Sequence, residues 1–240
     1  MPGFFGKIPS HGDFVTRELS RAFIDVWDLW LQAGIADSKA RLGERWLDVY
    51  LTSPIWRFGL VPGICGASAW AGILMPSVDR VGRYFPLTIA TALPQHVNPL
   101  QLPGAAAGWF EAMEAVALRT LDDDRFEANE LQAAIAAVGD IPAEAGSEAP
   151  AATLGQAWSV ALFGKSGHAA AAALAHELVA RQAPRYSLWW TAGSQDGAAA
   201  VVAVAELPEP ACFVDLLHGA QPPQVAVPEP QAAAGGRGQP

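Results

Sequence analysis

Seven consecutive apolar residues, Ala69–Met75, constrain the fold of this chain more than any other segment. A strand that is apolar on both faces has to lie inside a sheet that is covered on both sides. Residues 54–61 and 86–93 are predicted to form further strands, separated from this one by Pro62-Gly63 and by a turn at 77–83. Because parallel neighbours need a long crossover, these short connections predict antiparallel pairing.

Helical periodicity precedes these strands. Large apolar side chains recur at helical spacing over residues 19–31 and again over 42–50. Gly34 and Gly43 weaken the interval, which predicts one kinked helix or two. The pair Ser53-Pro54 is expected to end the helical segment, since a residue before proline avoids the helical region.

Residues after the central strands predict more helices and a late hairpin. An apolar stripe at 109–117 predicts one helix, and a capping box at 124–127 is expected to begin another in which Leu131, Ile135 and Val138 are buried. The remaining predicted elements are an edge strand at 2–8, a mobile loop at 139–155, a strand at 157–163, a helix at 167–182 packed through Leu174 and Leu178, a hairpin at 187–207 with an Asp-Gly turn, and a short helix at 213–217.

This order of elements predicts an α/β (α+β) fold in which a mainly antiparallel central sheet is flanked by helices, giving three layers. Residues 1–218 are expected to form a single domain, and residues 219–240 have the composition of a disordered tail. Trp27, Trp30, Trp46 and Trp70 are predicted core residues. Adjacent Trp189 and Trp190 should face opposite sides of a strand, one in the core and the other exposed or beneath a helix.

The net charge of −9 argues against binding of nucleic acid or of an anionic membrane surface, because both depend on clustered Lys and Arg. No apolar stretch approaches the about 20 residues that span a bilayer, and no signal peptide is recognisable. The two cysteines, Cys65 and Cys212, are too few for a disulfide framework and are predicted to be buried. We therefore expect a cytoplasmic protein without direct membrane insertion.

Motifs for catalysis and cofactor binding are incomplete. Gly164-Lys-Ser166 resembles the end of a phosphate loop, but position 159, where the motif requires glycine, is serine. His168 and His176 are eight residues apart, which is not the spacing of a two-histidine zinc helix. A hydrolase that uses His11 and Asp13 is a further alternative, although neighbouring positions rarely assemble a triad. No enzyme activity, metal or cofactor is predicted.

Two segments rich in glycine, proline and charge, residues 3–14 and 75–87, predict shaped loops that hold polar side chains. If the first strand pairs near the middle of the sheet, both loops share one end, and Asp13 or Asp79 could form an ion pair with an arginine. Such a cluster is either a stabilising clamp or the rim of a partner-binding surface; the alternative is a pocket for a small anion. The candidate residues are Lys7, His11, Asp13, Phe14, Asp79, Arg80 and Arg83.

The same segments resemble the signatures of the TagF family, also called ImpM, of bacterial type VI secretion accessory proteins. The resemblance extends through residues 27–31, 53–58, 76–87 and 187–191 and covers most of the chain to about residue 218. It implies a longin-like domain and a non-enzymatic repressor that acts after translation by protein–protein contact, with the forkhead-associated scaffold as partner. The matching family positions are Gly6, Lys7, Gly12, Asp13, Phe14, Pro76, Asp79, Arg80, Gly82, Arg83 and Pro86.

Overall fold

The computed structural model of the protein describes residues 1–94, 98–142, 151–154, 157–160, 167–193 and 199–219. The strands in this part of the chain are β1 (Gly3–Gly6), β2 (Val15–Arg17), β3 (Trp56–Leu60), β4 (Ala69–Met75), β5 (Leu87–Leu93), β6 (Ala151–Leu154), β7 (Ala157–Val160), β8 (Tyr186–Thr191) and β9 (Ala200–Ala205). The α-helices are α1 (Arg21–Leu42), α2 (Trp46–Thr52), α3 (Leu102–Ala105), α4 (Ala107–Asp122), α5 (Ala128–Val138), α6 (Gly167–Gln182) and α7 (Phe213–His218).

Seven strands form one antiparallel sheet in the order β2-β1-β5-β4-β3-β8-β9, and β6 pairs with β7 separately. Every residue of β4 is buried, as its apolar sequence predicts. The prediction of an edge strand at residues 2–8 is wrong, because Val15–Arg17 folds back and pairs with the outer side of β1. β1 therefore lies inside the sheet, beside β5.

Helices cover both faces of the sheet, which confirms the predicted three-layer fold class. One core lies beneath α1, α2 and α7 and contains Trp27 and Trp189, while the other lies beneath α4 and α5 and contains Phe110 and Trp190. The two adjacent tryptophans thus serve opposite faces, and Trp190 lies beneath α4 in edge contact with Phe110 at 4.8 Å between ring centroids. Burying each such side chain contributes about 1.5–3 kcal/mol.

The first helical segment is two α-helices joined by a 3-10 turn at Gly43–Arg45. Ser20 caps α1 by accepting a hydrogen bond from the backbone N–H of Phe23. Gly34 does not interrupt this helix; a Cβ there would lie 2.4 Å from the ring of Phe213, so glycine allows α7 to pack closely. The predicted stop is confirmed, since α2 ends immediately before Ser53-Pro54.

Several local predictions need correction. The capping box of α5 is formed by Glu127 and Glu130, three residues after the predicted one, because Glu127 adopts the extended cap conformation. Leu178 is 40% exposed, since the α6 face that carries it borders an open groove, and Cys212 is exposed rather than buried. Leu131 and Ile135 are buried as predicted, whereas Val138 is only partly buried against the same core.

Other predictions lie partly outside the described residues. Strand β6 occupies 151–154, at the end of the predicted loop, and β7 covers 157–160 of the next predicted strand. The Asp-Gly turn at 194–197, the phosphate-loop fragment at 164–166 and the tail from residue 220 lie outside the described part of the chain. Among the described helices, none combines the length and the apolar character of a membrane span.

Candidate functional site

The two glycine-rich loops leave the sheet at the same end. The N-terminal loop (residues 7–14) follows β1, and the β4–β5 loop (residues 76–86) precedes the strand that pairs with β1. The backbones meet where the N-terminal loop begins and the β4–β5 loop ends: Gly6 has φ +141°, and a Cβ at this position would lie 2.1 Å from the carbonyl oxygen of Pro86. A side chain cannot occupy this space, so the glycine is required for the loops to approach each other.

Asp79 is the centre of the cluster. Its Oδ2 accepts hydrogen bonds from Lys7 Nζ and Arg83 Nε, both at 2.7 Å. Its Oδ1 accepts from the backbone N–H groups of Val81 at 3.0 Å and Arg83 at 2.8 Å. The Asp79 side chain is completely buried and that of Lys7 nearly so. The ion pair between Asp79 and Arg83 is one of the alternatives that the loop sequences predict. The pairing of Asp79 with Lys7 and its burial were not predicted.

Burial alone would raise the pKa of the Asp79 carboxyl, but its hydrogen bonds reverse that effect. The Lys7 ammonium, the Arg83 backbone and guanidinium, and the Val81 backbone together hold the pKa well below its usual range. The carboxylate therefore stays ionised and joins the start of the N-terminal loop to the β4–β5 loop.

Additional hydrogen bonds connect the same two loops. The backbone N–H of Arg80 donates to the carbonyl of His11 at 2.9 Å, and Ser77 Oγ donates to the carbonyl of Lys7 at 2.7 Å. The Arg83 guanidinium also donates to the carbonyl of Gly12. These contacts fix the backbone of each loop against the other at several points.

Tyr50 braces this assembly from α2. Its hydroxyl donates to the carbonyl of Ser77 at 2.9 Å and accepts from the N–H of the same residue at 3.0 Å. Burial raises the pKa of Tyr50, so its hydroxyl stays protonated and able to donate. The sequence offered no local signal for this contact, because the two residues are 27 positions apart.

Phe14 closes the cluster towards solvent. Its ring stacks on Phe5 with centroids 5.7 Å apart and meets Phe85 edge-on at 4.8 Å. The Lys7 ammonium lies 5.0 Å from the centre of the Phe14 ring. Phe14 nevertheless remains 45% exposed, so it shields the buried ion pair while presenting an aromatic surface.

The remaining candidate residues, His11 and Asp13, bind different partners. Asp13 is exposed, and its carboxylate accepts a hydrogen bond from the N–H of Phe14. His11 turns towards α5 instead, with Nε2 3.8 Å from Glu127 Oε2 and Nδ1 3.0 Å from Ser10 Oγ. Within the described residues, no group of three His, Cys, Asp or Glu side chains could hold a metal ion.

The exposed residues of the two loops include Phe14, Arg80, Val81 and Arg83, with Asp13 and Gly82 beside them. The side chains of Phe14, Arg80, Val81 and Arg83 are the ones considered as a contact surface. Arg80 is exposed, and Val81 at the tip of the β4–β5 loop is 66% exposed. We call these four residues the loop surface. Sequence reasoning found its arginines and Phe14 but missed Val81, because an isolated valine in a turn carries no functional signal.

Comparison with known proteins assigns the family. The profile of the TagF N-terminal domain, associated with type VI secretion, matches residues 3–138. The crystal structure of PA0076 from Pseudomonas aeruginosa PAO1 superposes with a TM-score of 0.75 at 38% sequence identity, covering 90% of this chain and 94% of that one. No curated protein matches the chain. The protein therefore belongs to the TagF family and is associated with the type VI secretion system.

Proposed function

We propose that this protein is a non-enzymatic, cytoplasmic regulator that represses type VI secretion after translation by binding a component of the secretion system. The observation that carries the proposal is the loop surface, in which exposed aromatic, arginine and aliphatic side chains stand on a buried, fully bonded base. The proposed partner is the forkhead-associated scaffold protein of that system, which the family resemblance implies.

The composition of the loop surface suits a protein contact. Arginine and aromatic residues are enriched among the residues that contribute most to binding energy at protein interfaces. The base formed by Lys7 and Asp79 fixes the loops before any partner arrives, so little conformational entropy is lost on binding. A rigid loop pair with exposed Phe14 and Val81 can therefore bind without refolding.

The loop geometry supports this proposal over an anion sensor. An anion site at Lys7, Arg80 and Arg83 needs cations that are free to face a ligand. Lys7 is buried, and both it and Arg83 already bind the Asp79 carboxylate, so an incoming anion would have to compete with an ionised group at 2.7 Å. Two grooves, of about 530 and 340 Å³, lie beside β9, away from these loops.

The different hydrogen-bond partners of His11 and Asp13 support a role without catalysis. A general base needs an orienting partner within hydrogen-bonding distance. The carboxylate of Asp13 binds the neighbouring Phe14 N–H, while His11 contacts Ser10 and its Nε2 lies 3.8 Å from Glu127 Oε2, beyond hydrogen-bonding distance. Neither the proposed mechanism nor the proposed partner depends on a reaction at these residues.

The test measures binding of the purified protein to the purified forkhead-associated scaffold of the same bacterium. The variant Arg80→Ser/Val81→Ser removes two exposed side chains from the loop surface and leaves the Asp79 base intact. A matched control, Arg45→Ser/Leu51→Ser, removes the same kinds of exposed side chain near α2. We expect roughly tenfold weaker binding for the loop variant and unchanged binding for the control.

Equal affinity of the wild type and the loop variant would place the contact elsewhere and contradict the assignment of this surface. Absence of binding by the wild-type protein would contradict the proposed partner. Circular dichroism of each variant verifies that the fold is retained before the affinities are compared.

A further inference from the structure

The far edge of the sheet is a second candidate interaction surface. β9 is the last strand of the seven, and in the described part of the chain no strand pairs with its outer side. Its six residues, Ala-Val-Val-Ala-Val-Ala, include no charged residue, proline or glycine. Edge strands are usually protected from pairing by charges, prolines or bulges, and this strand has none of them.

The register identifies which backbone groups of β9 point outwards. The N–H of Glu206 donates to the carbonyl of Arg185 at 2.9 Å, and these residues are opposite each other in the β8–β9 register. Hydrogen-bonded pairs alternate along an antiparallel ladder, so residues 200, 202 and 204 bond to β8. The carbonyl of Tyr186 accepts from Val61 on the β3 side, which agrees with this alternation. The backbone groups of Val201, Ala203 and Ala205 therefore face the open edge.

Both faces of β9 also border uncovered apolar space. An apolar groove of about 530 Å³ between β9 and α7 is lined by Val202, Val204, Trp189 and Leu216. A second groove of about 340 Å³ lies between β9 and α6, beside Ala203. Val201 is 63% exposed. Within the described ranges, the edge therefore presents backbone groups that pair with no strand, together with apolar side chains, as the edge that accepts an added strand does.

We propose that β9 pairs antiparallel with β9 of a second copy of this chain, about a two-fold axis at Ala203, joining two sheets into one. In this register Ala203 is opposite Ala203 of the second copy, and Val201 is opposite Ala205. These are the residues whose backbone groups face outwards, so every outward N–H and C=O of the strand finds a partner. Val202 then faces Val204 of the second copy on the α7 side.

The charge distribution supports a second copy as the occupant. The chain carries a net charge of −9, so most surfaces of two copies repel each other, but β9 itself is uncharged and can approach its equivalent. An isologous interface places the same surface of both copies against each other, so the strand has to be complementary to itself. Residues 201–205 are all alanine or valine, so in this register each of them is opposite another small apolar residue. A standard protein interface buries about 800 Å² on each partner, and one pair of short strands buries less than this. We therefore expect a reversible dimer with a dissociation constant of about 1–100 µM.

Disulfide trapping tests the register directly. In a Cys212→Ser background, which removes the exposed native cysteine, Ala203→Cys is expected to form a disulfide-linked dimer under mild oxidation. The two Cα atoms of this hydrogen-bonded pair would be about 5.5 Å apart, within the range that a disulfide spans. Val201→Cys is the matched control, because its equivalent in the second copy would be displaced by about 14 Å along the strand. Mixing the Val201→Cys and Ala205→Cys proteins should restore crosslinking.

Crosslinking of Val201→Cys alone as efficiently as Ala203→Cys would overturn the register. Sedimentation velocity over a range of concentrations tests the dimer without cysteines. The wild type should dimerise, whereas Ala203→Asp, which places two negative charges opposite each other, should remain monomeric. Leu29→Asp introduces the same charge at a 71% exposed position on α1 and should dimerise like the wild type. A wild type that stays monomeric at several hundred micromolar, or an Ala203→Asp variant that dimerises equally well, would overturn the proposal.

Discussion

Two substitutions that break the same buried ion pair are expected to differ in cost. The Asp79 carboxylate accepts four hydrogen bonds from Lys7, Val81 and Arg83, while Lys7 donates only one of them. Asp79→Ala leaves the ammonium of Lys7, which is 5% exposed, without its carboxylate. Removing one partner of a buried pair in this way costs about 3–5 kcal/mol.

Lys7→Met leaves Asp79 with the Arg83 guanidinium and two backbone N–H donors. The carboxylate remains compensated, and the methionine side chain can still pack against Phe14, so we expect a loss of about 1–3 kcal/mol. The asymmetry between the two variants is therefore the quantity to measure.

Urea unfolding measures this asymmetry, with the fluorescence of the nine tryptophans and far-ultraviolet circular dichroism as independent probes. The urea midpoint should be lowest for Asp79→Ala, intermediate for Lys7→Met and highest for the wild type, and the slopes of the three transitions should be similar. A loss for Lys7→Met that equals or exceeds the loss for Asp79→Ala would refute the role assigned to the carboxylate. So would a loss below about 1 kcal/mol for both variants.

Three further changes test other parts of the structure. Gly6→Ala should lower the free energy of unfolding by more than about 3 kcal/mol, because the added Cβ would lie 2.1 Å from the Pro86 carbonyl oxygen. Gly82→Ala, at φ +83° in open space, should lower it by about 1–2 kcal/mol. Thermal unfolding measures both losses. Arg57→Met removes a bidentate ion pair to α4 and should cost about 1–3 kcal/mol in urea. Because its folded-state pKa is depressed, Asp79 contributes stability above pH about 4 that is lost as the pH falls further, so Asp79→Ala should flatten the acid side of the stability profile. Equal losses for the two glycines, a fully stable Arg57→Met variant, or parallel acid profiles would contradict these expectations.

The layered architecture could be predicted from the sequence because its signals are local. The apolar segment Ala69–Met75 identifies a strand buried on both faces, and the stripe of α1 identifies the helix that covers one of them. The alternation of Trp189 and Trp190 likewise follows from the geometry of one strand. Each of these inferences needs only neighbouring residues.

Features that depend on distant contacts could not be predicted in the same way. The return of Val15–Arg17 to pair with β1 has no strong sequence signal, since the strand is three residues long. The exposure of Cys212 depends on the open groove that it borders, which no composition reveals. The alternative capping box at Glu127 and Glu130 was missed because two overlapping acidic pairs fit the same motif.

The candidate site could be predicted from the sequence only in part. Turn chemistry identified both loops, and the pairing of β1 with β5 met the condition for bringing them together. The sequence left open which aspartate would pair and with which arginine, and it gave no signal that Lys7 would be a partner. Lys7 and Asp79 are 72 positions apart, so their burial as a pair is a property of the folded sheet and not of either segment.

The most direct test of the proposed function is secretion by a type VI-positive bacterium that overproduces either the wild-type protein or the folded Arg80→Ser/Val81→Ser variant at equal levels. The amount of a protein secreted by the type VI system is measured in the culture medium and compared with that of a strain carrying an empty vector. The wild type should lower secretion and the variant should not, because the variant lacks part of the loop surface while retaining its Asp79 base. Secretion lowered equally by both proteins, or unchanged by the wild type, would contradict the proposal that this surface represses the system.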